Sequence, residues 1–148
     1  MDMKIREKNI PVNLAALKEF QISELNQGLY DIFEWAKEKN IKVHGGPFSI
    51  FYDFLNKEGK SVCGLSVRGE NLESTDDIEI VNLEEHKVLS SMHIGDYGTV
   101  GETYNEIIDY ASENDYIVTG PTYIIFMNNP FYTEKERLIS EVQVTVEK

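Results

Sequence analysis

Apolar residues recur at helical spacing in two stretches of the chain, and the two stretches have the same pattern. The first set is Leu25, Leu29, Ile32, Phe33 and Ala36. The second set is Val100, Tyr104, Ile107, Ile108 and Ala111. Each set forms one stripe of an amphipathic helix. We expect the first helix to run from Ser23 to about Asn40, and the second to begin at Thr99, where Glu102 completes a capping box.

Strands are predicted on both sides of each helix. Residues 12–22 and 85–94 precede the helices, and the β-rich runs 48–54 and 123–127 follow turns at 45–47 and 119–121, where glycine precedes proline. A strand with alternating apolar residues closes each half. These residues are Cys63, Leu65 and Val67 in the first half, and Val142, Val144 and Val146 in the second. Short opening strands are expected at residues 4–9 and 77–82.

The two halves are copies of one unit, because residues 14–53 align with residues 89–128 without a gap. We therefore predict an α+β fold of duplicated βαββ units with pseudo-twofold symmetry, in which an antiparallel sheet carries both helices on one face. The interpretation is a single domain over 1–148, with repeat one at about 1–68, a polar linker at about 69–77, and repeat two at about 78–148. A duplication of this kind creates a groove between the halves, which is a common place for a ligand.

Composition narrows the classes of function. Fourteen Lys and Arg against 26 Asp and Glu give a net charge of −12, which disfavours direct binding to nucleic acid. Cys63 is the only cysteine, so we expect a buried thiol and no disulfide. No apolar run is long enough to cross a bilayer, and the first residues lack a signal-peptide core, so a cytoplasmic protein is predicted. The spacing of the histidines favours no metal site, and no cofactor motif is present.

Glu141 is the main candidate for a functional residue. It alternates with the valines of the closing strand, so it is expected to face away from the helices and toward the groove. The matching residue of the first repeat is Val62, so only the second repeat carries a charge at this position of the duplicated unit. A carboxylate in an aromatic groove can bind a cation or act as a general base. The alternative is a solvent-facing glutamate without a role.

Three segments resemble one known family. They are His93-Ile94-Gly95-Asp96-Tyr97, the Gly-Pro segment from Gly120 to Pro130, and Ser140-Glu141-Val142-Gln143-Val144. In this order they are similar to the GyrI-like family, the effector-binding domain of AraC-type and multidrug-sensing transcription regulators. The resemblance covers nearly the whole chain. It also suggests the stand-alone type of domain, without a DNA-binding segment.

The resemblance implies a pocket between the repeats that binds a hydrophobic small molecule, which in many relatives is cationic, for sensing or sequestration. The family glutamate carries over to Glu141, and Phe126 stands where the family often has tyrosine. We expect the ligand-binding residues to be Glu141, Phe126, Phe51, Tyr97, Tyr104, Trp35 and Tyr123. Core packing is the alternative role for Trp35.

Two other functions remain open at this point. One is hydrolysis of reactive electrophilic natural products, with Glu141 as the catalytic general base. The other is a protein-interaction module similar to a gyrase inhibitor. A protein partner or a homodimer is compatible with either function, whereas no cofactor and no membrane contact are expected.

Overall fold

The two predicted apolar stripes form two helices of equal length on one side of a single sheet. The computed structural model describes residues 5–54, 60–69, 72–129 and 131–148. Its helices are α1 (Leu25–Glu38) and α2 (Val100–Glu113). Its strands are β1 (Arg6–Ile10), β2 (Asn13–Gln21), β3 (Lys42–Phe51), β4 (Lys60–Arg68), β5 (Glu79–Leu83), β6 (His86–Ile94), β7 (Ile117–Phe126) and β8 (Ile139–Glu147).

The sheet has eight strands in the order β1-β6-β8-β7-β3-β4-β2-β5. Every neighbouring pair is antiparallel. The repeats meet in the middle, where β3 pairs with β7 and Phe48 lies opposite Ile125. This confirms the predicted α+β fold of two βαββ units on a continuous antiparallel sheet.

The opening strands are exchanged between the repeats. Strand β1 precedes repeat one in the chain but pairs with β6 of repeat two. Strand β5 pairs in the same way with β2 of repeat one. Each exchanged strand occupies an outer edge of the sheet. The exchange therefore brings residues 6–10 to the groove side of the second repeat, which the repeat pattern alone does not predict.

Both helices pack on the same face of the sheet. Against α1 lie Cys63, Leu65 and Val67 of β4, together with Ile124 and Phe126 of β7. Against α2 lie Leu89 of β6 and the valines of β8. The side chains of Val142, Val144 and Val146 are at most 1% exposed. The predicted alternation of the closing strands is confirmed, and their intervening residues face the opposite side of the sheet.

Two details of the sequence prediction are wrong. The first helix begins two residues later than expected because a short 3₁₀ turn at Ile22–Glu24 precedes it, whereas the second begins where predicted, after a 3₁₀ turn at Tyr97–Thr99. Thr99 is the N-cap of α2, but its side chain makes no capping hydrogen bond to the helix. The Thr99 hydroxyl instead donates to the carbonyl oxygen of Asp96 at 2.7 Å. The capping box is therefore absent, and the 3₁₀ turn is held by Asp96, whose side chain accepts from the Gly98 amide.

The glycine-proline segments are not turns that precede the strands, as predicted. They lie inside β3 and β7, where the register of pairing slips between His44 and Phe48 and again between Val118 and Thr122. Gly45 has a φ of 72°, which favours glycine because it lies in the left-handed region. Both strands therefore continue through a bulge, and the bulge of β3 forms part of a groove on the side of the sheet opposite the helices.

Among the described residues, neither helix is long and apolar enough to cross a membrane.

Candidate functional site

A groove of about 320 Å³ lies on the sheet face opposite the helices. Both repeats contribute to it: β7 and β8 form the floor, and the bulge of β3 and the start of β6 form the sides. The apolar side chains of the lining are Ile10, Pro11, Phe48, Leu83, Tyr123, Ile125 and Met127. The groove is therefore a largely apolar concavity next to the junction of the repeats, the kind of surface that binds small organic molecules.

Glu141 lies on the floor of this groove. It sits on β8 between Met92 of β6 and Ile125 of β7, and only 7% of the residue is exposed. Its carboxylate oxygen Oε2 accepts three hydrogen bonds. The donors are Lys8 Nζ at 2.8 Å, Ser90 Oγ at 2.6 Å and Gln143 Nε2 at 2.9 Å. Among the described residues, no donor lies within hydrogen-bonding distance of Oε1, so this oxygen is available to a ligand.

These donors determine the protonation state of Glu141. Burial alone would raise the pKa of the carboxyl group, but the hydrogen bonds from Gln143, Lys8 and Ser90 and the charge of Lys8 together hold it below its ordinary value of 4.5. Glu141 is therefore a carboxylate at neutral pH. It places a negative charge, partly balanced by Lys8, on the apolar floor of the groove.

Tyr123 and His86 form the aromatic side of the groove. Their rings stack with centroids 5.1 Å apart and an interplanar angle of 21°. The Nδ1–H of His86 donates to the carbonyl oxygen of Glu84 at 2.9 Å, so in the neutral ring Nε2 carries the lone pair. Nε2 is buried and has no hydrogen-bond partner in the described part of the chain. Burial, and then the charge of Tyr52, raises the pKa of Tyr123, so this phenol stays neutral.

The other predicted site residues lie on the helix face. Phe51, Phe126 and Tyr97 line an apolar pocket of about 250 Å³ between the starts of α1 and α2. The ring centroids of Tyr97 and Phe126 lie 4.8 Å apart in an edge-to-face contact, and the buried Tyr97 hydroxyl has no hydrogen-bond partner among the described residues. Tyr104 adjoins this pocket because its ring stacks on that of Phe54, a lining residue, with the ring centroids 4.3 Å apart.

Trp35 lies in neither concavity. It packs on the core beneath α1 and borders a surface cleft with Lys42 and Arg68. Of the seven predicted residues, only Glu141 and Tyr123 therefore share the groove. Period-2 geometry explains the division on β7, because Tyr123 and Ile125 face the groove whereas Ile124 and Phe126 face the helices.

The position equivalent to Glu141 carries no charge. Val62 lies opposite Ile50 across β3 and β4, as Glu141 lies opposite Ile125 across β7 and β8. Val62 packs with Phe48 and Ile50 on the groove face but is not part of the groove lining. The groove is therefore asymmetric, with its carboxylate from repeat two.

Lys8, Ser90 and His86 belong to the site but are not among the residues predicted from the sequence. Alternation in β6 was enough to place Ser90 on the Glu141 face. No sequence pattern places Lys8 near Glu141, because the position of Lys8 depends on the exchange of β1 between the repeats. Within the described residues, no three His, Cys, Asp or Glu side chains form a group that could hold a metal ion.

Comparison with known proteins gives one family match. A family model for the GyrI-like small-molecule-binding domain matches residues 1–147. No curated protein sequence gives a significant match.

Solved structures show the same fold at low identity. The C-terminal domain of EcmrR has a TM-score of 0.88 at 16% identity, covering 100% of this chain and 99% of that chain. The EcmrR chain in a cryo-EM complex with DNA has a TM-score of 0.84 at 16% identity, and the match covers 98% of this chain and 57% of that longer chain.

Two further structures share the fold. A hydrolase encoded by lin2189 from Listeria innocua has a TM-score of 0.72 at 12% identity, covering 98% of this chain and 92% of that chain. SAV2435 bound to tetraphenylphosphonium has a TM-score of 0.62 at 12% identity, and the match covers 98% of this chain and 94% of that chain.

Proposed function

The chain belongs to the GyrI-like small-molecule-binding domain family, and we propose that its groove binds a hydrophobic organic cation through Glu141. One observation carries this proposal: the carboxylate of a residue that is only 7% exposed lies on the floor of an apolar groove. Because little water reaches the carboxylate, its attraction for a ligand cation is screened less than it would be at the surface.

The rest of the lining suits the apolar part of such a ligand. Tyr123 presents an aromatic ring to the groove, and aromatic faces attract cations as well as apolar groups. A volume of about 320 Å³ is at the lower end of the range for small-molecule sites. Tetraphenylphosphonium, which is bound in the related fold of SAV2435, is a suitable probe because its charge is enclosed by phenyl rings.

The biological role that fits this proposal is sensing or sequestration of the compound. EcmrR, whose C-terminal domain has the same fold, is known in a complex with DNA. For this chain we propose the ligand-binding step alone.

The structure favours binding over hydrolysis. A general base must accept a proton, and its efficiency falls as its pKa drops below the working pH. The pKa of Glu141 is lowered by the donors that surround Oε2, so the carboxylate is a weak base. Phe126 does not bear on this choice, because it lies on the other face of the sheet from Glu141.

Isothermal titration calorimetry with a charged and a neutral probe tests the proposal. Triphenylphosphine oxide serves as the neutral analogue of tetraphenylphosphonium. Glu141→Gln should weaken binding of the cation by about 1–3 kcal/mol, the scale for losing a charged partner, and should leave the neutral probe within about twofold. Calorimetry is preferable to tryptophan quenching because Trp35 lies outside the groove.

Glu147→Gln is the matched control. It removes the same charge from the same strand at an exposed position, so it should leave both affinities unchanged. If Glu141→Gln and Glu147→Gln have equal effects on the cation, the charge of Glu141 does not bind it.

A further inference from the structure

The cationic partner of Glu141 in the structure is a side chain of the protein itself. Lys8 lies on β1 opposite Val88, and its Nζ reaches Glu141 Oε2 at 2.8 Å. The side chain of Lys8 is 43% exposed, whereas that of Glu141 is 10% exposed. The ammonium group therefore borders the solvent, and the carboxylate it pairs with lies within the groove.

We propose that Lys8 is a specificity-determining residue, a tethered cation that a ligand must displace from Glu141. This inference rests on the proposed function, because it concerns which cations can enter the same groove. It assigns Lys8 the role of a competitor that sets how much apolar contact a cation needs in order to bind.

Tethering makes Lys8 an effective competitor. A group held on the same chain acts at a high effective concentration, up to the millimolar range for short flexible tethers. A small hydrophilic cation would replace the contact between Lys8 and Glu141 with a similar contact of its own. It would gain no additional free energy from apolar contacts. It would therefore bind weakly even though a buried carboxylate is present.

A lipophilic cation has a second source of free energy. Its apolar surface can pack on Tyr123, Ile125 and Phe48, and the burial of apolar area favours binding in proportion to the area removed from water. Once displaced, the ammonium group of Lys8 can rotate toward the solvent without movement of the backbone, because the Lys8 side chain is already partly exposed. Lys8 therefore weakens binding of every cation by a similar factor, so that only cations that bring enough apolar area still bind tightly.

The chain offers a close control for removal of this charge. Lys87 lies opposite Asn9 in the same pair of strands, one position along from the pair of Lys8 and Val88. It therefore projects to the other face of the sheet, where its Nζ lies 4.0 Å from Glu7 Oε1. Lys8→Met and Lys87→Met change the net charge equally, but only the first alters the groove.

The experiment compares three probes on the full chain. Tetraphenylphosphonium and triphenylphosphine oxide are titrated by calorimetry, and tetramethylammonium by NMR chemical shifts. Lys8→Met should bind both cations about tenfold more tightly than the unsubstituted protein, the factor expected for removing one competing charge-assisted hydrogen bond. The neutral probe should change by less than about twofold, and Lys87→Met should leave all three affinities unchanged.

Two results separate failure of this inference from failure of the proposed function. If the unsubstituted protein binds tetraphenylphosphonium but Lys8→Met and Lys87→Met bind it equally, Lys8 is not a competitor and the proposed function stands. If none of the three proteins binds either cation, both the proposed function and the inference are wrong. Lys8→Gln, which removes the charge but keeps a neutral donor for Oε2, should show a smaller gain in the same direction and serves if Lys8→Met does not fold.

Discussion

The tight packing beneath the groove makes Gly64→Ala an informative substitution. Gly64 lies on β4 between Leu17 and Phe48. A methyl group at Gly64 would lie 2.6 Å from Phe48 Cζ and 2.8 Å from Leu17 Cδ2. Ordinary contacts between carbon atoms are about 3.5–4.0 Å, so both neighbours would have to move by about 1 Å.

The movement is costly because Phe48 has little free space. It is 4% exposed, and its ring lies 6.3 Å from that of Tyr123. Overpacking a buried site costs about 1–3 kcal/mol, and we expect Gly64→Ala to lower the free energy of unfolding by this amount. Since Phe48 lines the groove, the displaced ring should also weaken binding of tetraphenylphosphonium.

Urea unfolding followed by far-UV circular dichroism measures this loss. Gly101→Ala is the matched control, because a methyl group there would meet nothing within 4 Å. Gly101 lies in α2, where replacing glycine by alanine favours the helix by up to about 1 kcal/mol. If Gly64→Ala is as stable as the unsubstituted protein, or if both alanine variants change the free energy of unfolding in the same direction, the added methyl group does not overpack this site.

Three other predictions follow from buried groups. The pKa of Glu141 is lowered in the folded state, so its contribution to stability should be present above the ordinary pKa and lost as pH falls through the pKa of the folded protein. Glu141→Gln should therefore make the free energy of unfolding, measured with urea, less dependent on pH in the acidic range. The thiol of Cys63 is 0% exposed and burial raises its pKa to about 12, so a disulfide reagent should modify it at the rate of unfolding, and fast modification of the folded protein would contradict this. The buried Tyr97 hydroxyl lacks a hydrogen-bond partner in the part of the chain that the structure describes, so Tyr97→Phe should leave the free energy of unfolding unchanged or raise it by about 1 kcal/mol, and a clear loss would reveal a hydrogen bond at that hydroxyl.

The repeats, and the face of the sheet on which each residue of the closing strands lies, can be predicted from the sequence alone. Helical spacing and alternation depend on neighbouring residues, so Ile107 and Val142 could be assigned to the core without knowledge of strand pairing. The same alternation separates Tyr123 from Phe126, and applied along β7 it would have divided the predicted site residues between two faces.

The remaining features depend on contacts between distant parts of the chain. Nothing near Lys8 indicates that β1 pairs with β6, since that pairing joins residues about eighty positions apart. The bulge at Gly45 resembles a turn in the sequence because glycine with positive φ serves both structures. The ion pair of Lys8 with Glu141 could therefore be found only in the folded structure.

The most direct test of the account is the location of a bound cation. Intermolecular nuclear Overhauser effects from the phenyl protons of tetraphenylphosphonium distinguish the two faces of β7. Binding beside Glu141 predicts contacts with Tyr123 and Ile125, which line the groove. Contacts with Ile124 and Phe126, which line the pocket between the helices, would place the ligand on the opposite face and contradict the role proposed for Glu141.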